Sequence, residues 1–157
     1  MTIKTLGHLS SQDDVDARTQ FGAICWREGP SGAEVLLITS RDTGRWVIPK
    51  GWPIDGLPPE GSAAREAWEE AGVTGRADPQ CIGLYSYDKL LGKAAAPKGA
   101  LPCVVAVYAL KVEKLARSFP EAGQRRRKWF RARKAATKVA EPELQALLAT
   151  LPDRLPG

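Results

Sequence analysis

Residues 62–73 read SAAREAWEEAGV, and the twelve residues before them, 50–61, read KGWPIDGLPPEG. The alanine-rich run ending on Gly72 predicts a helix, because alanine is the strongest helix former and glycine closes helices in the left-handed conformation. Three glutamates, Glu66, Glu69 and Glu70, stand close together on it. Like charges three and four residues apart on a helix repel by roughly 0.2–0.5 kcal/mol per pair. Either a solvated face tolerates that strain or a cation sits there.

At 100° per residue, Glu69 falls about −60° and Glu70 about +40° from Glu66, so the carboxylates share an arc of about 100°. Ala63, Ala64, Ala67, Trp68 and Ala71 fall between about 60° and 200°, an apolar stripe suited to packing on a sheet. The acids are thus segregated from the packed side, with Arg65 flanking them near about −100°. Grouped carboxylates suit a hard divalent cation such as Mg²⁺, which takes oxygen donors and commonly binds alongside substrate phosphates. The upstream Gly/Pro-rich loop can bring backbone carbonyls near a metal and amides near a phosphate.

Working outward, QFGAICW (20–26), AEVLLITSR (33–41), the short RWVIP (45–49), LPCVVAVYALKV (101–112) and KWFR (128–131) read as strands. A turn is expected after Gly72, then a strand starting near Gln80. LPCVVAVYALKV is expected to be the longest strand, KAAAPKGA (93–100) a loop, and EPELQALLATL (141–151) a second helix. Strands interleaved with two helices predict an α/β domain with a mixed sheet.

The chain has 157 residues, enough for one domain with a core, and 26% charged residues. No apolar run reaches the ~20 residues of a membrane span, and MTIKTLGHLSSQDD lacks a signal-peptide core, so the cytoplasm is the expected location. Cys25, Cys81 and Cys103 are widely spaced in apolar stretches and read as buried reduced thiols. The single histidine, His8, argues against a Ser-His-Asp triad or a histidine zinc site. A net charge of +5 suggests an anionic partner without choosing among nucleic acid, membrane and polyphosphorylated small molecule.

Gly51 to Val73 resembles the box of the Nudix hydrolases: Gly, five residues, Glu, seven residues, then Arg-Glu-apolar-x-Glu-Glu-x-Gly-apolar. REAWEEAGV (65–73) matches every fixed position. One position departs: the first Glu of the pattern falls on Leu57, which cannot bind a metal or make the usual ionic contact, with Glu60 three residues on as its nearest substitute. TSRDTGRWVIPKGWP before the box and RRRKWF near the end look like the diphosphoinositol polyphosphate and diadenosine polyphosphate hydrolase branch. There the loop more often reads Pro-Gly-Gly, where this chain has Pro49-Lys50-Gly51, and an acid often stands where this chain has Lys128. The likeness covers about residues 18–150, which implies a leader at 1–17, one domain at 18–152 and a tail at 153–157.

The resemblance implies an α/β; Nudix-type α/β/α sandwich with a central mixed β-sheet. It also implies Mg²⁺- or Mn²⁺-dependent hydrolysis of phosphoanhydride bonds in polyphosphorylated small molecules. Glu66 and Glu70 would hold the metal with a backbone carbonyl near Gly51, and Glu69 would be the general base; Glu66 and Glu69 could exchange roles. Arg65 would orient a carboxylate. Arg18, Arg41, Arg45, Lys50, Lys89 and Arg125 would meet substrate phosphates, as arginine and lysine do well. Arg126 and Arg127 are expected to face solvent, strand alternation separating them from Arg125. Trp26, Trp46 and Trp129 read as core residues, Trp68 as part of the helix's packed side, and Trp52 as a stacking or lid residue. Two other readings remain open. One is a non-catalytic polyphosphate or nucleotide sensor, raised by Leu57 and Lys128; the other is an RNA 5′-pyrophosphohydrolase, raised by RRRK. No RNA-binding aromatic motif accompanies the basic run, so neither nucleic acid nor membrane is the expected partner.

Overall fold

The backbone of β1 (Arg18–Gly29) and of β2 (Gly32–Thr39) pairs antiparallel across a tight turn, Trp26 facing Val35 and Arg27 facing Glu34. The computed structural model to which they belong describes residues 18–90 and 100–156. The leader at 1–17, with His8, lies outside the described residues, as does all but the last residue of the expected loop at 93–100.

Two short pieces follow, β3 (Trp46–Val47) and β4 (Lys50–Gly51), then α1 (Pro59–Ala71). The long strands β5 (Val73–Leu90) and β6 (Ala100–Leu115) come next, and β7 (Arg127–Arg131) completes a seven-stranded sheet. Three helices end the chain: α2 (Ala132–Ala136), α3 (Pro142–Ala149) and α4 (Leu151–Arg154). The sheet order is β3-β2-β1-β6-β5, with β4 on β1 and β7 on β2. β1 and β6 run parallel and every other pair antiparallel, so the sheet is mixed as expected.

Alternation along the central strands divides the core into two layers. On one face Ala23, Cys25, Leu36, Ile38, Ala106, Tyr108 and Leu110 pack against Ala63, Ala67 and Ala71 of α1. On the other, Ile24, Val35, Leu37, Val105 and Val107 pack against Ala135, Leu144, Leu148 and Leu151 of the terminal helices. The result is the α/β/α sandwich.

Several expectations need correction. No turn follows Gly72; β5 runs unbroken for 18 residues, longer than the 16 of β6. The turn-forming residues Gly75, Asp78 and Pro79 are absorbed by register shifts at Thr74/Gly75 and between Ala77 and Cys81, where a proline needs no ladder partner. At Gly75 a Cβ would collide with the Lys111 carbonyl oxygen, so glycine lets the two strands stay paired. The five-residue α2 is an additional helix, too short to leave a periodic signal. Cys25 and Cys103 are buried free thiols, while Cys81 is half-buried with its Sγ donating to the Gly83 carbonyl at 3.3 Å. Trp26 is buried and Trp46 and Trp129 partly so; Trp52 is exposed in the loop before α1.

Candidate active site

The loop and helix that carry the acidic residues are fixed at three points. Pro58 caps α1 and Pro59 opens it, where a missing N–H is no loss. The Ser62 hydroxyl accepts from the Ile54 amide at 3.0 Å, tying the loop to the first turn. At the far end Gly72 has φ 68°, left-handed as expected, and its N–H reaches the Trp68 carbonyl at 3.0 Å. Arg127 closes the same end, donating to the Ala71 carbonyl at 2.6 Å and the Ala116 carbonyl at 2.7 Å. The solvent-facing expectation for Arg127 is therefore overturned: a period of two places it on the side of Arg125, and only Arg126 turns out to solvent.

With Ala63, Ala67 and Ala71 buried against the sheet, the glutamates are left on the flank of α1. Glu66 and Glu70, one turn apart, bring their carboxyl groups together. Burial, and next the charge of Glu70, push the Glu66 carboxyl up to about 8. Burial also raises Glu70, opposed by the cations of Arg125 and Lys50. The backbone of Gly51 closes in on Glu66 so tightly that an added Cβ would fall on its carboxylate. The Lys50 amide points at Glu70 Oε1 from 3.4 Å. Two adjacent carboxyl groups, held away from their preferred ionised state and pressed against a side-chain-free backbone, form an oxygen donor set that fits Mg²⁺ or Mn²⁺. Glu69 is half-buried beside them, and its charge adds to the upward push on Glu66. Among the described residues no three acidic, histidine or cysteine side chains converge into a complete cage, so substrate and water oxygens would have to complete a coordination shell.

Glu70 opens into a polar cleft of about 380 Å³. Five of the six cations expected to meet phosphates line it: Arg41, Arg45, Lys50, Lys89 and Arg125. They come from the β2–β3 connection, β4, β5 and the segment before β7, so only the sheet topology brings them together. Burial lowers the pKa of Lys50, while Glu70 and Glu141 oppose the shift. Its Nζ lies 4.8 Å from the centre of the Tyr87 ring. Arg125 is largely used by the protein itself, with Glu121 at 3.1 Å, the Thr39 carbonyl at 3.2 Å and Glu70 at 3.8 Å. Arg41 reaches Gln124 at 2.9 Å on the rim.

Two expected site residues stand elsewhere. Arg18 begins β1, exposed and paired in register with Cys103, and does not line the cleft. Arg65 is exposed in a shallow hollow with Leu57, Gly61 and Trp68, and forms no ion pair among the described residues. The sequence reading missed Glu141, Gln20 and Tyr87, which also line the cleft. Tyr87 donates to Gln20 Oε1 at 2.6 Å, fixing both. Glu141 reads in one dimension only as the acid ahead of a proline-started helix, and nothing local signals that the helix start abuts the cleft.

The NUDIX domain matches residues 18–151 of the chain. Nudix hydrolase 16, mitochondrial, of Arabidopsis thaliana is 35% identical over 117 residues, 73% of this chain and 63% of that protein. Diphosphoinositol polyphosphate phosphohydrolase 3-alpha of Homo sapiens is 29% identical over 114 residues, covering 71% of this chain and 63% of its own length. The chain thus spans under two thirds of both relatives. The crystal structure of C. elegans Ap4A hydrolase shares the fold, with a TM-score of 0.60 at 18% identity over 87% of this chain and 97% of that one.

Proposed function

The chain belongs to the NUDIX domain family, and from that premise we propose that it hydrolyses phosphoanhydride bonds in polyphosphorylated small molecules with the help of a divalent cation. The observation that carries this reading is the Glu66–Glu70 pair, with Glu66 against the backbone of Gly51 and Glu70 lining a cleft rich in Arg and Lys. Diadenosine polyphosphates, diphosphoinositol polyphosphates and linear polyphosphate are the substrate classes in view. Relatives named for the second, and a fold shared with an Ap4A hydrolase, support that range.

Glu66, Glu70 and the Gly51 carbonyl would hold Mg²⁺ or Mn²⁺, which would supply charge neutralisation for phosphoryl oxygens. We assign Glu69 as general base. It takes a proton from the attacking water as the water oxygen bonds to phosphorus and the bond to the leaving phosphate breaks, the leaving oxygen keeping the electron pair. Arg45, Lys50, Lys89 and the rim Arg41 bind and orient the phosphate chain. Arg125 positions Glu70 and Glu121 and adds positive field. The orienting role expected of Arg65 has no contact behind it among the described residues, and Arg18 stands outside the cleft, so neither enters the mechanism.

The test is product identification by mass spectrometry after incubation with the three substrate classes, nucleoside triphosphates and 5′-triphosphorylated RNA, with Mg²⁺ or Mn²⁺. Turnover that is abolished in Glu69→Gln supports the reading and names the substrate. Tight binding without turnover on any of them would replace it with the sensor, and turnover confined to RNA would replace it with RNA 5′-pyrophosphate hydrolysis.

A further inference from the structure

Three acids lining the cleft are left unused by the mechanism, Asp42, Asp88 and Glu141; the first two are exposed to water, and Glu141 is the buried one. Its backbone is set by the start of α3, where its carbonyl accepts from the Gln145 amide at 2.9 Å. Its side chain reaches the cleft wall that also holds Arg45, Lys50 and Glu70. The residue is only 9% exposed. Oε2 lies 3.6 Å from Arg45 Nη1, an ion pair too long to be a hydrogen bond. Oε1 is shut off from solvent, and among the described residues it is the buried side-chain polar atom left without any hydrogen-bond partner.

An orphaned buried acceptor is costly, and native structures keep few of them. A carboxylate is acceptor-only, so phosphate oxygens cannot satisfy it, and like charge disfavours their approach. The cleft therefore combines two chemistries: several cations that attract phosphate, and a buried carboxylate whose unmet need is an N–H or O–H. A bare polyphosphate satisfies the first and offers nothing to the second.

We propose that Glu141 is a specificity-determining residue whose carboxylate, left short of donors by the protein, accepts a hydrogen bond from an N–H or O–H on the organic part of the substrate, so that the cleft selects phosphoanhydrides bearing a donor-carrying group over bare polyphosphates. This rests on the cleft being the phosphoanhydride site. A site built to hydrogen-bond a substrate group discriminates strongly against ligands lacking it, because its own polar atom is otherwise left unpaired.

The experiment measures dissociation constants by calorimetry, in Mg²⁺, for wild type, Glu141→Gln and Glu141→Ala. The probes are adenosine 5′-(β,γ-methylene)triphosphate, its 2′,3′-dideoxy form, and inorganic triphosphate with methylene bridges, none of which turns over. Loss of one good hydrogen bond amounts to about tenfold. E141A is expected to weaken the adenosine probe by that factor and to leave the inorganic probe unchanged or tighter. E141Q, which keeps an acceptor oxygen, stays near wild type on the adenosine probe. If the dideoxy form is bound as tightly as the parent by wild type and loses as much in E141A, the donor is an N–H of the base; otherwise it is a sugar O–H. Equal loss on the adenosine and inorganic probes, or no loss on either, overturns the proposal. Should E141A fold poorly by urea titration, Glu141→Met, close in volume, carries the same comparison. Wild type that binds none of the three probes but turns over a substrate in the product assay above would overturn the proposal alone; no binding together with no turnover would overturn the phosphoanhydride reading.

Discussion

The carboxylate of Glu66 lies so close to the backbone of Gly51 that a Cβ there would stand no more than 2.7 Å from either of its oxygens. β4 and α1 are pinned together at this point, and glycine is required by space rather than by backbone angle, since Gly51 is not among the glycines with positive φ. Gly51→Ala must push Glu66 aside. Mn²⁺ affinity, followed by electron paramagnetic resonance, should fall about 10–100-fold, the range seen when groups that orient a metal ligand are disturbed. Unchanged Mn²⁺ binding in a folded G51A protein would remove Glu66 from the donor set.

The Glu66 carboxyl, raised from 4.5 to about 8, gives the metal-free protein an unusual pH dependence. Folding favours the protonated form, so the native state holds more protons than the unfolded chain between those values. Stability is then fully present below pH 4.5 and is lost as pH rises toward 8. Thermal melting in chelator should show the midpoint falling across that window, and Glu66→Gln should flatten the fall. A wild-type midpoint that rises steadily to pH 8, with no difference in E66Q, would contradict the assignment.

Arg127 and Arg126 are neighbours with opposite consequences. Arg127 satisfies two carbonyls at the closure of α1, whereas Arg126 lies exposed over the Trp46 ring at 5.3 Å. Urea denaturation of Arg127→Met should show a loss of about 2–4 kcal/mol, from two charge-assisted hydrogen bonds and two stranded carbonyls. Arg126→Met should stay within about 0.5 kcal/mol of wild type, as exposed substitutions usually do. Equal losses would place the helix closure elsewhere.

Leu57, 36% exposed, shares a hollow with Arg65. Leu57→Glu would offer that arginine the ionic partner it lacks among the described residues. A surface pair of this kind is worth about 0.2–1 kcal/mol, visible at low salt, diminished at high salt and absent when Arg65→Ala is combined with it. A salt-insensitive gain would mean that the glutamate acts otherwise than through Arg65.

How far the sequence could be read follows from how local each feature is. The α1 face was legible because a period of 3.6 segregates alanines from glutamates within thirteen residues, and Gly72 marked its end. The mixed sheet followed from apolar runs separated by turn residues. β5 was misjudged because Pro79 and Gly75 signal a turn locally, while pairing with β6 along its whole length tolerates them as irregularities. Arg41, Arg45, Lys50, Lys89 and Arg125 do meet in one cleft. Glu141 was invisible because it reaches that cleft through the packing of α3 on the far face of the sheet, a long-range contact with no local mark. Arg127 was misread because alternation was taken to turn both Arg126 and Arg127 away from Arg125, whereas a period of two turns away only Arg126.

The central claim is that the acidic arc of α1 binds a divalent cation and supports attack of water on a phosphoanhydride. Its most direct test is phosphate release from the best substrate by wild type, Glu66→Gln, Glu69→Gln and Glu70→Gln, each stripped of metal and then titrated with Mn²⁺. The account predicts no turnover in the stripped proteins and recovery in wild type as Mn²⁺ is added. It predicts recovery only at much higher Mn²⁺ for E66Q and E70Q, and saturable Mn²⁺ binding without recovery for E69Q. Turnover by stripped wild type, or full recovery of all three variants at the wild-type Mn²⁺ concentration, would contradict it.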